Sequence, residues 1–104
     1  KYHSEAAICS GFPVRFDVDS DNDRKFFWKL VGSFSKIRML GSAAISLINV
    51  AKGSADVYSE QNIMLWDVAA GLAIVEGAGG QININMTGYM LNAYASNKHL
   101  TKLL

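Results

Sequence analysis

The chain has 104 residues, of which 50% are apolar and 18% charged, and its formal net charge is +1. These values predict one compact domain over residues 1–104 and exclude a chain that is disordered by composition. A charge near zero argues against nucleic acid or an anionic membrane as the main partner, and no apolar run approaches the ~18 residues that span a bilayer. The single cysteine, Cys9, excludes an internal disulfide and fits a cytoplasmic location.

The first part of the chain predicts a strand and a helix. Residues 6–9 form a short apolar run typical of a buried strand, and the turn 10–13 follows it. The acidic stretch 17–23 fails the EF-hand pattern, because Asn22 replaces its glycine and Trp28 its bidentate glutamate, so a solvated loop is predicted. Asp21 or Asp23 is predicted to cap the next helix. The apolar residues of that helix follow helical spacing: Phe26, Phe27, Leu30, Val31 and Phe34.

A second strand and a helix rich in small residues come next. Strand 36–40 has three side chains available for burial, namely Ile37, Met39 and Leu40. Ser42 is predicted to be the N-cap of a helix that runs through Ala51, and Gly53 its left-handed end. One face of this helix is predicted to be buried: Ala43, Ala44, Leu47, Ile48 and Ala51.

The last part predicts a strand, a helix and a hairpin. Strand 55–59 precedes a helix that begins at Asp67, ends near Glu76 and packs onto the sheet through Trp66. Strand 81–85 alternates isoleucine with asparagine and is predicted to be half-exposed; turn 87–88 leads to strand 91–95, and Asn97 caps a short terminal helix. This alternation predicts an α/β fold with flanking helices and a mixed, largely parallel sheet that carries an antiparallel pair at its last hairpin.

Three features are predicted to meet at one edge of this sheet. Ligands of open α/β sheets bind beyond the carboxyl ends of the strands, where helices begin. Gly41, Ser42 and Ala43 follow one strand, Glu60 ends the next, and Asp67 begins the helix after it. Each has a plain alternative: Asp67 as a helix cap, Glu60 as a solvated charge, and Gly41-Ser42 as a turn with a cap. One isolated carboxylate does not hold Mg²⁺ by itself, because that ion requires near-octahedral oxygen ligation.

Several segments occur together in the order and spacing of a known family. They are Ile37-Arg38-Met39-Leu40-Gly41-Ser42-Ala43-Ala44, Ala55-Asp56-Val57-Tyr58-Ser59-Glu60, Trp66-Asp67-Val68-Ala69-Ala70-Gly71 and Glu76-Gly77-Ala78-Gly79-Gly80. Ser10-Gly11-Phe12-Pro13 and Ala95-Ser96-Asn97-Lys98 extend the similarity to both ends of the chain. The combination resembles the C-terminal half of the inositol monophosphatase family, and the segment from Trp66 to Gly71 is its most specific part. The resemblance implies the C-terminal domain of that family's αβαβα sandwich.

Members of this family are Mg²⁺-dependent, Li⁺-sensitive phosphomonoesterases. The resemblance implies that Asp67 is a catalytic residue and a ligand of one Mg²⁺, close to the reacting oxygen of the substrate. It further implies that Gly41, Ser42 and Ala43 line the polyol side of the pocket, and that Glu60 accepts hydrogen bonds from substrate hydroxyls. The implied substrate is a small phosphorylated polyol, an inositol or sugar phosphate, hydrolysed with the help of the metal.

One departure from the family pattern sets a further expectation. The family takes its other metal ligands from an N-terminal glutamate and an Asp-Pro-x-Asp-Gly-Thr segment, whereas the one proline here, Pro13, lies in no such segment. The chain also starts at Lys1 without an initiator methionine, which the removal of a tag, a proteolytic cut or a truncation would each explain. It is expected to be inactive alone and to associate with itself or with a separate N-terminal half. The alternative is a non-catalytic truncated α/β module that self-associates through an exposed face.

Overall fold

Strands and helices alternate through the part of the chain that the computed structural model describes, residues 5–10 and 19–99. In chain order the elements are β1 (Ala7–Cys9), α1 (Asp21–Ser33), β2 (Lys36–Arg38), α2 (Ala43–Lys52), β3 (Val57–Met64), α3 (Leu65–Gly77), β4 (Gln81–Thr87) and β5 (Met90–Ser96). Residues 11–13 of the predicted turn, the start of the acidic stretch and the part of the predicted terminal helix after residue 99 lie outside the described residues. Asn97, the predicted cap of that helix, accepts a hydrogen bond from the His99 N–H at 2.9 Å. None of the helices in the described part has the length and apolarity to cross a membrane.

The five strands form one sheet in the order β2-β1-β3-β5-β4. Strand β1 pairs in parallel with β2 and β3, whereas β5 is antiparallel to both β3 and β4. The predicted mixed α/β sheet is confirmed, and so is the antiparallel last pair. Parallel pairing makes up two of the four strand pairs, a smaller share than the prediction of a largely parallel sheet. The reason is that the short β4–β5 connection permits only a hairpin, whose second strand then pairs with β3.

Helices cover both faces of the sheet. Adjacent residues of β3 show this, because Tyr58 belongs to a core cluster with α2 and α3 and Val57 to a second cluster with Leu30 of α1. The cluster under α2 and α3 is the larger: Cys9, Leu47, Val50, Ala55, Tyr58, Val68, Leu72, Val75, Leu91, Ala93 and Ala95. The protein is therefore layered as helix, sheet and helix, with its main core under α2 and α3.

Helices α2 and α3 approach each other closely at Gly71. A Cβ atom at that position would lie 2.6 Å from Leu47 Cδ1 and 2.8 Å from Leu47 Cβ. Such distances are shorter than real Cβ contacts, so only glycine fits between the two helices as they stand. This contact fixes the spacing of the two helices whose amino ends follow β2 and β3.

Helix α1 begins differently from the prediction. Ser20 is the N-cap, and its Oγ accepts a hydrogen bond from the Asp23 N–H at 3.4 Å. The predicted caps, Asp21 and Asp23, lie instead in the first helical turn, where their charges favour the positive end of the helix dipole. The strand after α1 also ends earlier than predicted, at Arg38, so Met39 and Leu40 are exposed rather than buried.

Helix α2 has the predicted ends but a different buried face. Ser42 Oγ accepts a hydrogen bond from the Ile45 N–H at 3.2 Å, and Gly53 ends the helix in the left-handed region with φ 85°. The buried side chains are those of Ser46, Leu47 and Val50, and the prediction is wrong for Ala44 and Ile48, which are exposed. Two overlapping apolar stripes exist on this helix, and the position of α3 selects the one that is buried.

Candidate active site

The ends of several elements border one open cavity of about 540 Å³ at the carboxyl edge of β1 and β2. Its lining consists of Ser10, Met39, Gly41, Ser42, Ala43, Ala44, Ser46, Glu60, Ile63 and Asp67. The structure thus brings together all five residues that the sequence singled out. Their convergence follows from topology, because the loops after parallel strands and the starts of the following helices share one edge of the sheet.

Asp67 lies in the first turn of α3 but does not cap the helix. The helix begins at Leu65, two residues before the predicted start, and its N-cap is Met64, which makes no side-chain capping bond. The Asp67 side chain is exposed and has no hydrogen-bond partner among residues 5–10 and 19–99. The cap interpretation of Asp67 is therefore wrong. Its carboxylate makes no capping bond that would compete with a ligand, and it lies where the helix dipole favours negative charge.

Glu60 is part of a strand rather than a charge at a strand end. Strand β3 continues to Met64, and Glu60 is half-buried within it. The Tyr58 hydroxyl donates a hydrogen bond to Glu60 Oε1 at 3.0 Å. Burial raises the pKa of Glu60; the bond from Tyr58 lowers it, and the nearby charge of Asp67 raises it further. The two carboxylates are close enough to repel, and a bound cation or hydroxyl donor would relieve that repulsion.

Tyr58 is a site residue that the sequence reasoning missed. Its side chain is fully buried, and its pKa is raised first by burial and then by the neighbouring Glu60. The hydroxyl therefore stays protonated and acts as a donor to the carboxylate. The available signal was the spacing: residues 58 and 60 are two apart in a strand, so their side chains lie on the same face.

A β-bulge shapes the strand between Glu60 and the cavity residue Ile63. The β3–β5 register shifts between these two residues, and Asn62 has a positive φ of 56°. The Asn62 N–H donates to Asn92 Oδ1 at 3.1 Å, which gives the displaced backbone a partner on β5. Asparagine tolerates the left-handed region better than most residues do, but one asparagine in a polar stretch does not predict a bulge.

Gly41 and Ser42 have both of the predicted roles: they form the turn and the cap before α2, and they also line the cavity. Gly41 has φ 73°, and no atom lies within 4 Å of the position that a Cβ would take there. Ser42 caps α2 through its Oγ, so this hydroxyl accepts a bond from the helix while it also lines the cavity. The first N–H groups of a helix have no intrahelical partner, and they favour an anion at this end of α2.

The other polar groups near the cavity are already engaged. The Ser10 hydroxyl donates to the Ser59 carbonyl oxygen at 2.7 Å. Cys9 is buried, and burial raises the pKa of its thiol, whereas a hydrogen bond with Ser46 and the charge of Arg38 lower it. Within the described residues no group of three or more acidic, histidine or cysteine side chains is close enough to hold a metal ion. These residues therefore offer one available carboxylate, Asp67, and one partly satisfied carboxylate, Glu60.

Trp66, next to Asp67, does not pack α3 onto the sheet, so that prediction is wrong. Its side chain is 65% exposed, and its ring centroid lies 6.0 Å from that of Tyr89. The helix is held to the sheet instead by Val68, Leu72 and Val75.

Comparisons with known proteins agree with this architecture. A family model described as the inositol monophosphatase family matches residues 3–99. The inositol-1-monophosphatase of Synechocystis sp. is 46% identical over 79 residues, which cover 76% of this chain and 28% of that protein. The Nus factor SuhB of Escherichia coli is 33% identical over 102 residues, which cover 93% of this chain and 38% of that protein.

A solved structure shows the same fold. The inositol monophosphatase from Anabaena (Nostoc) matches with a TM-score of 0.79 and 32% identity over 90% of this chain and 39% of that one. The chain therefore spans less than two fifths of each of these three relatives. Because the family model covers almost all of it and the fold agrees, the chain belongs to the inositol monophosphatase family, a family of phosphatases.

Proposed function

We propose that this chain forms the substrate side of the active site of a Mg²⁺-dependent phosphomonoesterase that acts on inositol or sugar monophosphates in the cytoplasm. One observation carries the proposal: Asp67 lines the same cavity as Glu60 and residues 41–43 and is not used to cap its helix. The names of two relatives support the substrate class, since one is an inositol-1-monophosphatase and another a fructose-1,6-bisphosphatase/inositol-1-monophosphatase from Thermotoga maritima.

The donor set near Asp67 fits part of a Mg²⁺ site. Proteins usually bind this ion through one or two carboxylates, and waters and substrate phosphate oxygens complete the octahedron. Asp67 supplies one such carboxylate, and the remaining protein ligands have to come from outside the described residues or from another chain. When bound, the ion neutralises phosphate charge and activates a water. This chain's own contribution is to hold the ion on one side.

The rest of the cavity suits a phosphorylated polyol. Its small lining residues, Gly41, Ser42 and Ala43, leave room for a ring, and the start of α2 favours the negative charge of a phosphate. Glu60 is oriented by the Tyr58 hydroxyl and, when ionised, accepts hydrogen bonds from substrate hydroxyls. We expect Li⁺ to inhibit the reaction, as implied by the family resemblance.

A chimeric enzyme tests this proposal. Residues 5–99 replace the matching segment of the Synechocystis inositol-1-monophosphatase, which supplies the rest of the protein, and phosphate release from inositol 1-phosphate is followed with and without Mg²⁺. We expect Mg²⁺-dependent turnover that Li⁺ inhibits and that Asp67→Asn lowers about 100-fold or more, because the neutral amide is a poor Mg²⁺ ligand.

Glu76→Gln is the matched control, since Glu76 is an exposed carboxylate at the other end of the same helix. It should leave turnover unchanged. If the Asp67→Asn chimera hydrolyses the substrate as fast as the unsubstituted chimera, Asp67 is not a metal ligand.

The second candidate is a non-catalytic α/β module that associates through exposed apolar surface. Large apolar side chains that are mostly exposed favour it, among them Trp28, Ile45 and Trp66. This candidate predicts a defined oligomer of the 104-residue chain, no rise of Tm with Mg²⁺, and a chimera without activity. A chimera that turns over substrate excludes it.

A further inference from the structure

A second cleft, of about 280 Å³, opens beside α1, whose Phe26 lines it. Among the residues that the structure describes, four amide side chains line this cleft: Gln61, Asn83, Asn85 and Asn92. The cleft lies across β3, β5 and β4, whereas the candidate active site lies at the carboxyl edge of β1 and β2. Glu60 borders both openings. The two openings are therefore neighbours with different linings.

Strand pairing arranges the amides of this cleft in an ordered array. In the β4–β5 register Asn85 lies opposite Asn92, and Asn83 lies opposite Tyr94. Directly paired side chains of antiparallel strands share a face, with their Cβ atoms about 4.5–5.5 Å apart. Asn92 is also held from β3, because its Oδ1 accepts the hydrogen bond from the Asn62 N–H at 3.1 Å. With this oxygen engaged, the Asn92 NH₂ group remains as its donor to the cleft.

Asparagine is an unusual choice for a strand face that only has to be polar. It is depleted in strands, where threonine is favoured, and solvated surfaces commonly carry charged side chains. Strand β4 nevertheless has two asparagines on this face and no charged residue between Gln81 and Thr87. The amides lower the strand propensity and contribute no charge, so exposure to solvent does not by itself explain them.

The chemistry of the lining fits a neutral ligand that carries several hydroxyl groups. Each amide offers both a donor and an acceptor, as does each hydroxyl of a sugar. Phe26 and Tyr94 pack against the buried cluster under α1 and form an apolar wall of the cleft. In the described part of the chain Glu60 is the only charged residue that lines the cleft, so a phosphate group is not favoured there. The volume lies near the lower limit for small-molecule pockets, about 300–1,000 Å³, and suits a single ring.

We propose that this cleft binds a neutral monosaccharide or cyclitol, one without a phosphate group, through the side-chain amides of Asn83, Asn85 and Asn92. The site is distinct from the cavity that contains Asp67 and requires no metal ion. It therefore holds or fails independently of the phosphatase proposal.

Nuclear magnetic resonance of the ¹⁵N-labelled 104-residue chain tests this proposal. The probes are myo-inositol and D-glucose, each added into the millimolar range, and inorganic phosphate is the charged comparison. The side-chain amide signals of Asn83, Asn85 and Asn92 report binding in the cleft. We expect saturable shifts of these signals with at least one of the two polyols and no shifts with phosphate.

A threonine pair on β4 tests whether the amides bind the ligand. Asn83→Thr with Asn85→Thr removes two amides but keeps polar residues that favour strands, so β4 should still form. We expect the dissociation constant, followed at the Asn92 amide, to rise about tenfold or more because hydrogen bonds to the ligand are lost. Gln81→Thr is the matched control, since Gln81 is an exposed amide on the same strand outside the cleft lining. It should leave the dissociation constant unchanged.

Several results would overturn the proposal. They are the absence of asparagine shifts with both polyols, an unchanged dissociation constant in the threonine pair, and shifts of the same signals by inorganic phosphate. Shifts confined to the backbone amides of residues 41–43 would place the polyol in the candidate active site alone and would also overturn it.

Discussion

The core on one face of the sheet is larger and more closely packed than the core on the other face. The candidate site lies on the closely packed face. Under α2 and α3 lies the larger core cluster, with Gly71 in close contact with Leu47. Under α1 the buried cluster consists of Ile8, Leu30 and Val57, and half-buried aromatic residues and Ile37 pack against it. No residue of α1 lines the cavity, whereas α2 and α3 each contribute from their first turn. Close packing is thus found where it fixes the relative positions of Ser42 and Asp67.

Truncating one leucine on each face measures this difference directly. Leu47→Ala should lower the free energy of unfolding by about 3–4 kcal/mol, because the side chain is fully buried between two helices. Leu30→Ala should cost about 2 kcal/mol, since Leu30 is 9% exposed and its cluster is smaller. Urea unfolding of the two variants gives both values. Equal losses would show that the two faces are packed equally well.

A methyl group added at the helix contact tests the close approach itself. Gly71→Ala should destabilise the chain by about 2 kcal/mol, because the new Cβ overlaps Leu47. Gly77→Ala is the matched control on the same helix, since no atom lies within 4 Å of its added Cβ. The control should be neutral or stabilising by up to about 1 kcal/mol. In the Leu47→Ala background Gly71→Ala should cost less than in the parent, because the cavity left by Leu47 accepts the methyl group.

Removing the charge of Glu60 should raise stability while it weakens function. The folded chain raises the pKa of Glu60, so ionising it costs stability at pH values above the folded pKa, and this cost disappears below about pH 4, where unfolded glutamate is also protonated. Glu60→Gln should therefore raise Tm by about 1–3 °C at pH 7 and by nothing at pH 3. Thermal unfolding at both pH values measures it. A Tm that falls at pH 7 would mean that the carboxylate is stabilising where it lies.

The smallest expected effect concerns the bulge in β3. Asn62→Gly should change the free energy of unfolding by less than about 0.5 kcal/mol, because glycine adopts the same positive φ freely. Asn62→Ala should cost about 1 kcal/mol, the penalty of a left-handed backbone for a residue with a Cβ. The difference between these two variants isolates the backbone conformation from the loss of the side chain. Equal free energies of unfolding for the two variants would show that the positive φ at Asn62 imposes no backbone strain.

Local signals predicted the order of the elements and the ends of α2. Serine is a preferred N-cap and glycine a preferred left-handed end of a helix, so the roles of Ser42 and Gly53 followed from residue type alone. The start of α3 was misplaced because Met64 carries no capping group, and the first visible signal in the sequence was Asp67. Strand β3 was predicted too short because the polar pair Gln61-Asn62 interrupts its apolar residues at the bulge.

The convergence of the site residues was predictable from topology, but their local chemistry was not. Parallel strands place the residues that follow them at one edge, which brings 41–43 and Asp67 together without knowledge of any contact. The hydrogen bond between Tyr58 and Glu60 depends on which face of β3 is buried. The exposure of Trp66 depends on which side of α3 packs against the sheet. Both are decided by packing between distant segments, which no local pattern encodes.

The most direct test of the central claim is to locate a divalent cation on the 104-residue chain itself. Mn²⁺ is added with inorganic phosphate, which supplies further oxygen ligands, to the ¹⁵N-labelled protein, and the broadening of each backbone amide signal, which detects even weak and transient binding beside one carboxylate, is measured. We predict broadening of the amides at 41–43, 60 and 67, which Asp67→Asn abolishes while leaving any broadening at the exposed residues Asp21 and Asn22 unchanged. Broadening that avoids the cavity, or that persists there in Asp67→Asn, would contradict the claim that Asp67 is available to hold a cation.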